Sequence, residues 1–139
     1  MPDLVRFTVS LPARLSAAFD QYLSRRDYPS RSEAVRDLIR DALIEEQWAS
    51  SVAEVAGTVT IVYDHHRREL TDRLTRLQHD YHDVVLSTTH VHLDHDNCLE
   101  VIILRGPVER VRAIGNRLMS IRGVKHGKMT CTSSGAGLE

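Results

Sequence analysis

Residues 90–98 read His-Val-His-Leu-Asp-His-Asp-Asn-Cys, three imidazoles and a thiol within nine positions. Seven of the chain's eight histidines lie between His65 and His95, so the enrichment is local. Imidazole and thiolate are the side chains that hold nickel, copper or zinc with high affinity. A transition metal is therefore the first chemistry this stretch proposes. His90 and His92 alternate with apolar residues, as on a strand. Both would then project from one face, about 6.5–7 Å apart along it. Whether Cys98 joins them depends on the hairpin loop. An Asp96-Asn97 turn would send Cys98 to the opposite face. A loop of His95, Asp96 and Asn97 would pair Asp94 with Cys98 and keep it beside the histidines. Val91 and Leu93 need the face of Leu99, Val101 and Ile103 to make a core, and that pattern selects the odd loop. In that register Glu100 falls opposite His92, a natural acceptor for an imidazole N–H.

Three ligands leave a fourth position, and His79 or His82, at the end of the preceding helix, could fill it from the same chain or a neighbour. His65 and His66 read as solvent residues and Cys131 as a packed strand thiol. Tetrahedral His/Cys geometry would favour zinc; planar geometry would favour nickel or copper. A competing pattern exists. His90-x-His92-x-Asp94-His95 matches the HxHxDH motif of the metallo-β-lactamase fold, which would imply a metal-dependent hydrolase. That fold is much longer than this chain and draws further ligands from downstream, where only His126 remains.

The elements that must position these residues fall into two groups. Val5, Phe7, Val9 and Leu11 alternate with Arg6, Thr8 and Ser10, predicting a short strand with one apolar and one polar face. Pro12 opens a helix carrying Leu15, Ala18, Phe19, Tyr22 and Leu23 at helical spacing. Asp27-Tyr28-Pro29 breaks it. Ser30 with Glu33 is a capping box for a second helix reaching about Gln47. Strand, helix, helix in some 47 residues cannot bury a core alone. Pairing the lone strand antiparallel with its copy in a second chain supplies both a core and a strand partner. After residue 50 the pattern changes to strands at 55–64, 84–93, 98–104 and 124–132, with helices at 67–79 and 107–120. That order is βαββαβ, the ferredoxin-like arrangement. The fold class is thus α+β, with a βαα domain over 1–50, a βαββαβ domain over 51–133 and a disordered tail at 134–139.

The chain has 139 residues, a net charge of -1 and 27% charged residues, which suits one ordinary domain or two small ones. Near-zero net charge argues against a generic nucleic-acid binder. The first 40 residues nonetheless carry seven arginines against five acids. No apolar run approaches the roughly 18 residues of a membrane span. No signal pattern opens the chain, so a cytoplasmic location is expected.

Taken together, the two halves resemble the NikR-type nickel-responsive transcriptional regulators over about residues 4–132. The match rests on Gln78-His79, His90-Val91-His92, Cys98-Leu99-Glu100 and Arg122-Gly123-Val124-Lys125-His126-Gly127. The first half resembles their ribbon-helix-helix DNA-binding domain and the second their ACT-type metal-binding domain. The resemblance implies Ni(II), one per chain, held in a planar site by His79, His90, His92 and Cys98. It implies that His79 comes from a different subunit, placing the metal at a homotetramer interface. Tyr63 and His65 match residues near that site. The resemblance also puts Arg6, Thr8 and Ser10 of the ribbon in the DNA major groove, a docking mode known for β-ribbons. Ser30, Arg31 and Ser32, at a helix N-terminus, suit a DNA phosphate. Glu33 and Asp37 match carboxylates that bind a cation between the domains in family members. In this family Asp80 and Tyr81 are a departure, because further histidines often accompany the one matching His79.

The expectation is a nickel-dependent repressor of nickel uptake genes that binds two operator half-sites as a dimer of dimers, and no enzyme. The alternatives are the hydrolase already described and an antitoxin-like DNA-binding protein whose second half binds a partner protein. A filled four-ligand site disfavours the first and a folded second domain the other.

Overall fold

The computed structural model describes residues 3–50 and 53–138. It comprises two compact units, one reaching to Leu43 and the other spanning Ile44–Ala136. The division falls inside a helix, a few residues ahead of the boundary expected near residue 50. Glu139, the end of the expected tail, lies outside the described residues.

In the first unit α1 spans Ala13–Arg25, with Pro12 at its N-cap, and α2 spans Arg31–Ala49. Proline suits this boundary because its missing N–H would find no partner there. Asp27, at φ 57°, makes the left-handed turn between the helices. The Ser30 hydroxyl accepts from the Glu33 N–H at 3.2 Å, the first half of the expected capping box. The Glu33 carboxylate turns to Arg36 instead of completing it. In the single chain residues 3–12 form no strand, the state expected of a segment whose strand partner is its copy in a second chain. Val5, Phe7 and Val9 are 87%, 67% and 62% exposed. The physical reason is the one that made the strand suspicious: the chain offers it no neighbour to complete a hydrogen-bonded ladder. Within this unit the only buried hydrophobic residues among those described are Leu23 and Ala34.

The second unit holds β1 (Glu54–Asp64), α3 (Arg68–Asp80), β2 (Val85–His92), β3 (Asn97–Pro107), α4 (Val108–Met119) and β4 (Val124–Ser133). The sheet is antiparallel in the order β2-β3-β1-β4. That is the ferredoxin-like βαββαβ topology expected, with element ends within about three residues. Val55, Val59, Ile61 and Tyr63 of β1 and Cys98, Ile102 and Leu104 of β3 alternate into a core with Leu70 and Leu74 of α3 and Val111, Ile114 and Leu118 of α4. Trp48, at the end of α2, joins this core and donates its indole N–H to the Thr132 carbonyl at 2.7 Å. A Cβ at Gly57 would lie 3.0 Å from the Thr130 carbonyl oxygen, so it is the close approach of β4 that glycine serves there.

The core face is not the one expected. Val91, Leu93 and Ile103 sit on the other side of the sheet and are 44%, 54% and 37% exposed. Both faces of β3 are apolar, so the alternation alone could not say which one the helices cover.

Candidate metal centre

The β2–β3 hairpin has an odd-length loop, as expected, but its register is two residues away from the expected one. His92 pairs with Cys98, Val91 with Leu99 and His90 with Glu100. Asp94 explains the difference. Its Oδ1 accepts the N–H groups of Asp96 and Asn97 at 2.9 and 2.8 Å, and the Asn97 amide donates to both its oxygens. This closes the turn over Asp94–Asp96 and lets Asn97 enter β3. Its Asn97 partners hold the Asp94 carboxyl below the usual range. Parity is unchanged by a shift of two, so His90, His92 and Cys98 share the core-side face at the end of the hairpin.

Cys98 is fully buried, and its Sγ lies 3.9 Å from His92 Nδ1. The His90 and His92 rings stack with centroids 5.4 Å apart. His65, just beyond β1, packs edge-on against His92 at 4.5 Å. Ligand atoms of His65, His92 and Cys98 all lie within 4.8 Å of one another. The buried His65 Nδ1 has no hydrogen-bond partner. An unpaired buried nitrogen facing a thiol and a second imidazole is a costly arrangement unless a cation completes it. A metal at about 2.0–2.3 Å from each donor spans such separations with small adjustments. The residues therefore fit a borderline transition metal. Burial raises the Cys98 thiol above its ordinary pKa, with Glu100, Asp64 and Asp94 adding to the effect. Burial, then His66 and His92, lowers that of His65.

Glu100 departs from its expected role. It lies across from His90, and both its oxygens are occupied. Oε1 accepts from the Tyr63 hydroxyl at 2.7 Å, and Oε2 accepts from Gln78 Nε2 and Thr88 Oγ1, each at 2.7 Å. It is the one buried charged residue among those described. It joins β1, β2 and α3 to its own strand β3. Burial and the Glu100 bond raise the Tyr63 pKa, so the phenol remains a donor. The Tyr63 ring stacks on His90 at 6.0 Å. Glu100 thus acts on the imidazole through Tyr63, not by accepting its N–H. Sequence reasoning missed Thr88 and the role of Gln78.

His79 stands exposed at the end of α3, beside His82, and neither it nor His90 belongs to a group of converging ligand atoms among the described residues. Cys131 is exposed on β4. His66 was expected to face solvent alone, yet it packs against His95 with ring centroids 5.1 Å apart. The HxHxDH reading fails geometrically: Asp94 is spent on closing its own turn, and His95 turns toward His66.

In the first unit Arg6, Thr8 and Ser10 are exposed. Arg31 is not free at the N-terminus of α2, because it grips Asp20 through two bonds of 2.8 and 2.7 Å. Glu33 and Asp37 already have arginine partners, Arg36 and Arg40, and Asp37 also accepts from the Tyr28 hydroxyl at 2.8 Å. Among the described residues they form no converging metal-ligand group.

A two-helix first unit preceded by an alternating apolar/polar segment, and a βαββαβ unit with a His/Cys cluster, are the arrangement of a metal-responsive transcription regulator. Comparison with known proteins agrees. Residues 56–132 match the NikR C-terminal nickel-binding domain, and residues 5–46 match the ribbon-helix-helix protein, copG family. The chain is 54% identical over 138 residues to a protein of Desulfovibrio desulfuricans, covering 99% of both chains. It is 51% identical to proteins of Nitratidesulfovibrio vulgaris, over 99% of both chains, and Pyrococcus abyssi, over 96% of both. All three are named "Putative nickel-responsive regulator". The uncharacterized protein TM1266 from Thermotoga maritima has a similar fold, with TM-score 0.50 and 18% identity over 56% of this chain and 96% of that one. The chain belongs to the NikR family of nickel-responsive, DNA-binding regulators. That family regulates transcription and is not one of enzymes. Among the described residues no helix is long and apolar enough to cross a membrane.

Proposed function

We propose that the chain is a cytoplasmic, nickel-dependent repressor of nickel uptake genes, working as a homotetramer with one Ni(II) per chain. The observation that carries this reading is the shared placement of His90, His92 and buried Cys98 on one face at the end of the sheet, with Cys98 Sγ 3.9 Å from His92 Nδ1. His90, His92 and Cys98 are the ligands one chain supplies. His79 is exposed and supplies the fourth from another copy, where its place outside the intrachain cluster is no obstacle. His65 packs against His92 and orients it. Tyr63 and Glu100 hold His90 from behind.

The DNA half follows the same logic. Arg6, Thr8 and Ser10 line the polar side of a ribbon completed by a second chain, and they read base edges. Ser30 and Ser32 at the N-terminus of α2 face phosphate, and Arg31 contributes through its grip on Asp20. Two such ribbons per tetramer address two half-sites. Nickel raises DNA affinity to the extent that it binds the DNA-competent arrangement more tightly than the others.

The test is a nickel titration of the full chain followed by absorbance and by DNA retention. Wild type is expected to show a thiolate-to-nickel charge-transfer band saturating near one metal per chain, and nickel-dependent retention of DNA upstream of nickel transporter genes. Cys98→Ala should lose both, and His79→Ala should weaken both far more than His65→Ala. Retention of DNA by Cys98→Ala under nickel control would sink the assignment.

A further inference from the structure

We infer that Tyr81 with Arg117, and Asp83 with Arg110, are positioning residues that pin the C-terminal end of α3 to α4 and so hold His79 in place before any metal arrives. The consequence for nickel rests on the reading of His79 as a ligand; the pin itself does not.

Left to itself, the end of α3 is weak. A helix of 13 residues is marginal without packing, and the buried residues of α3, Leu70 and Leu74, lie in its first two turns. Beyond them Leu77 is half-buried and Gln78 bonds Glu100. The chain then leaves the helix at Tyr81 with φ -114° and ψ 35°, without the left-handed glycine that commonly closes one. Asp80 and Asp83 bring two negative charges to the end where the helix dipole is already negative.

What this end lacks, α4 supplies. Arg110 and Arg117 are seven positions apart, so they stand on one side of α4, about 10.5 Å apart along it. Arg117 Nη1 donates to the Tyr81 hydroxyl at 2.5 Å, and its guanidinium lies over the Tyr81 ring, 5.5 Å from the centroid. Arg110 grips Asp83 through both Nη atoms and holds its carboxyl below the ordinary range. Between the two pairs the Tyr81 carbonyl accepts the N–H groups of Val84 and Val85, each at 2.9 Å. The Val84 carbonyl accepts the Arg105 N–H of β3 at 2.9 Å. The turn is thus anchored on α4 by side chains and on β3 by backbone. Tyr81 stands between His79 and His82 in sequence, and its part is to hold, not to ligate.

Hydrogen exchange and nickel competition on the full chain test this, with the substitutions on α4 and the amides read on the α3–β2 turn. Arg110→Ala/Arg117→Ala is expected to speed exchange of the amides of residues 78–85 in the nickel-free protein about tenfold, the combined weight of two exposed contacts. The core amides of β1 and β3 should be unchanged. Tyr81→Phe, which removes only the hydroxyl, should give a smaller rise in the same amides, and Arg110→Lys/Arg117→Lys should restore part of the protection. The double alanine change should also lower nickel affinity by roughly twofold or more, because affinity falls with the fraction of molecules that hold His79 in place. In a His79→Ala background it should lower it no further. Unchanged exchange at 78–85 in the double alanine variant would overturn the pin. An equal loss of affinity with and without the His79 side chain would overturn the positioning role. Intact nickel affinity in His79→Ala alone would sink the ligand assignment and the consequence for nickel, while faster exchange would still uphold the pin.

Discussion

Burial works against the thiolate of Cys98, the form that a metal binds. Burial, reinforced by Glu100, Asp64 and Asp94, sets its thiol above the ordinary range. Only the thiolate binds a metal, so each nickel bound there must release that proton. The sign is fixed by the direction of the shift. Below the raised pKa one proton competes with the metal, so affinity should rise about tenfold for each unit of pH gained. The window opens above the range where imidazoles ordinarily titrate, near 6.5, and closes at the raised thiol pKa. Competition titrations at pH 7.0, 7.5 and 8.0 would measure it. A flat profile would mean that the thiolate exists without metal and that the buried, acid-flanked environment of Cys98 is misjudged.

At the scale of elements, what was legible in the sequence is what depends on parity and period. The βαββαβ order and the common face of His90, His92 and Cys98 survive any shift of the hairpin by two residues. The register itself was not legible, because it hangs on Asp94 choosing to cap its own turn. Neither was the covered face of β3, since Leu99, Val101 and Ile103 are as apolar as Ile102 and Leu104. His66 Nε2 stands 3.8 Å from Asp96 Oδ1 across two loops far apart in sequence, and composition carries no trace of it. The close approach of α4 to the sheet is similarly visible only in three dimensions. A Cβ at Gly127 of β4 would lie 2.7 Å from Met119 Cγ, 3.0 Å from Met119 Cβ and 3.3 Å from Ile61 Cγ2. The first two atoms are near the helix backbone and cannot swing away cheaply. Gly127→Ala should therefore destabilise the domain by about 1–3 kcal/mol through overpacking. Urea unfolding of the nickel-free protein would read this, and an unchanged midpoint would show that α4 rides higher on the sheet.

For the whole molecule, the deciding feature is that the chain leaves two apolar surfaces without partners. In the first unit these are Val5, Phe7, Val9 and Leu11, all exposed. In the second it is the helix-free face of the sheet, where Val91 and Val62 both lie beside Leu99, and Val101 and Ile103 follow along β3. An antiparallel sheet with helices on one side ordinarily turns a polar face to water. Here the patch lies on the face opposite the one that carries His90, His92 and Cys98, over the same two strands. In the proposed tetramer these two surfaces would be the two interfaces of a dimer of dimers. The surfaces can be broken one at a time. Wild type is expected to sediment at about four times the 15.8 kDa chain mass. Val101→Glu places a charge in the middle of the sheet face and should halve that mass, leaving ribbon-paired dimers. Because those dimers lack the neighbouring copy that supplies His79, their nickel affinity should fall at least tenfold although Val101 touches no ligand. Phe7→Glu should instead spare the sheet association and nickel binding and abolish DNA retention. If Val101→Glu kept both the wild-type mass and its nickel affinity, the sheet face would not be the interface and the fourth ligand would have to come from within the chain.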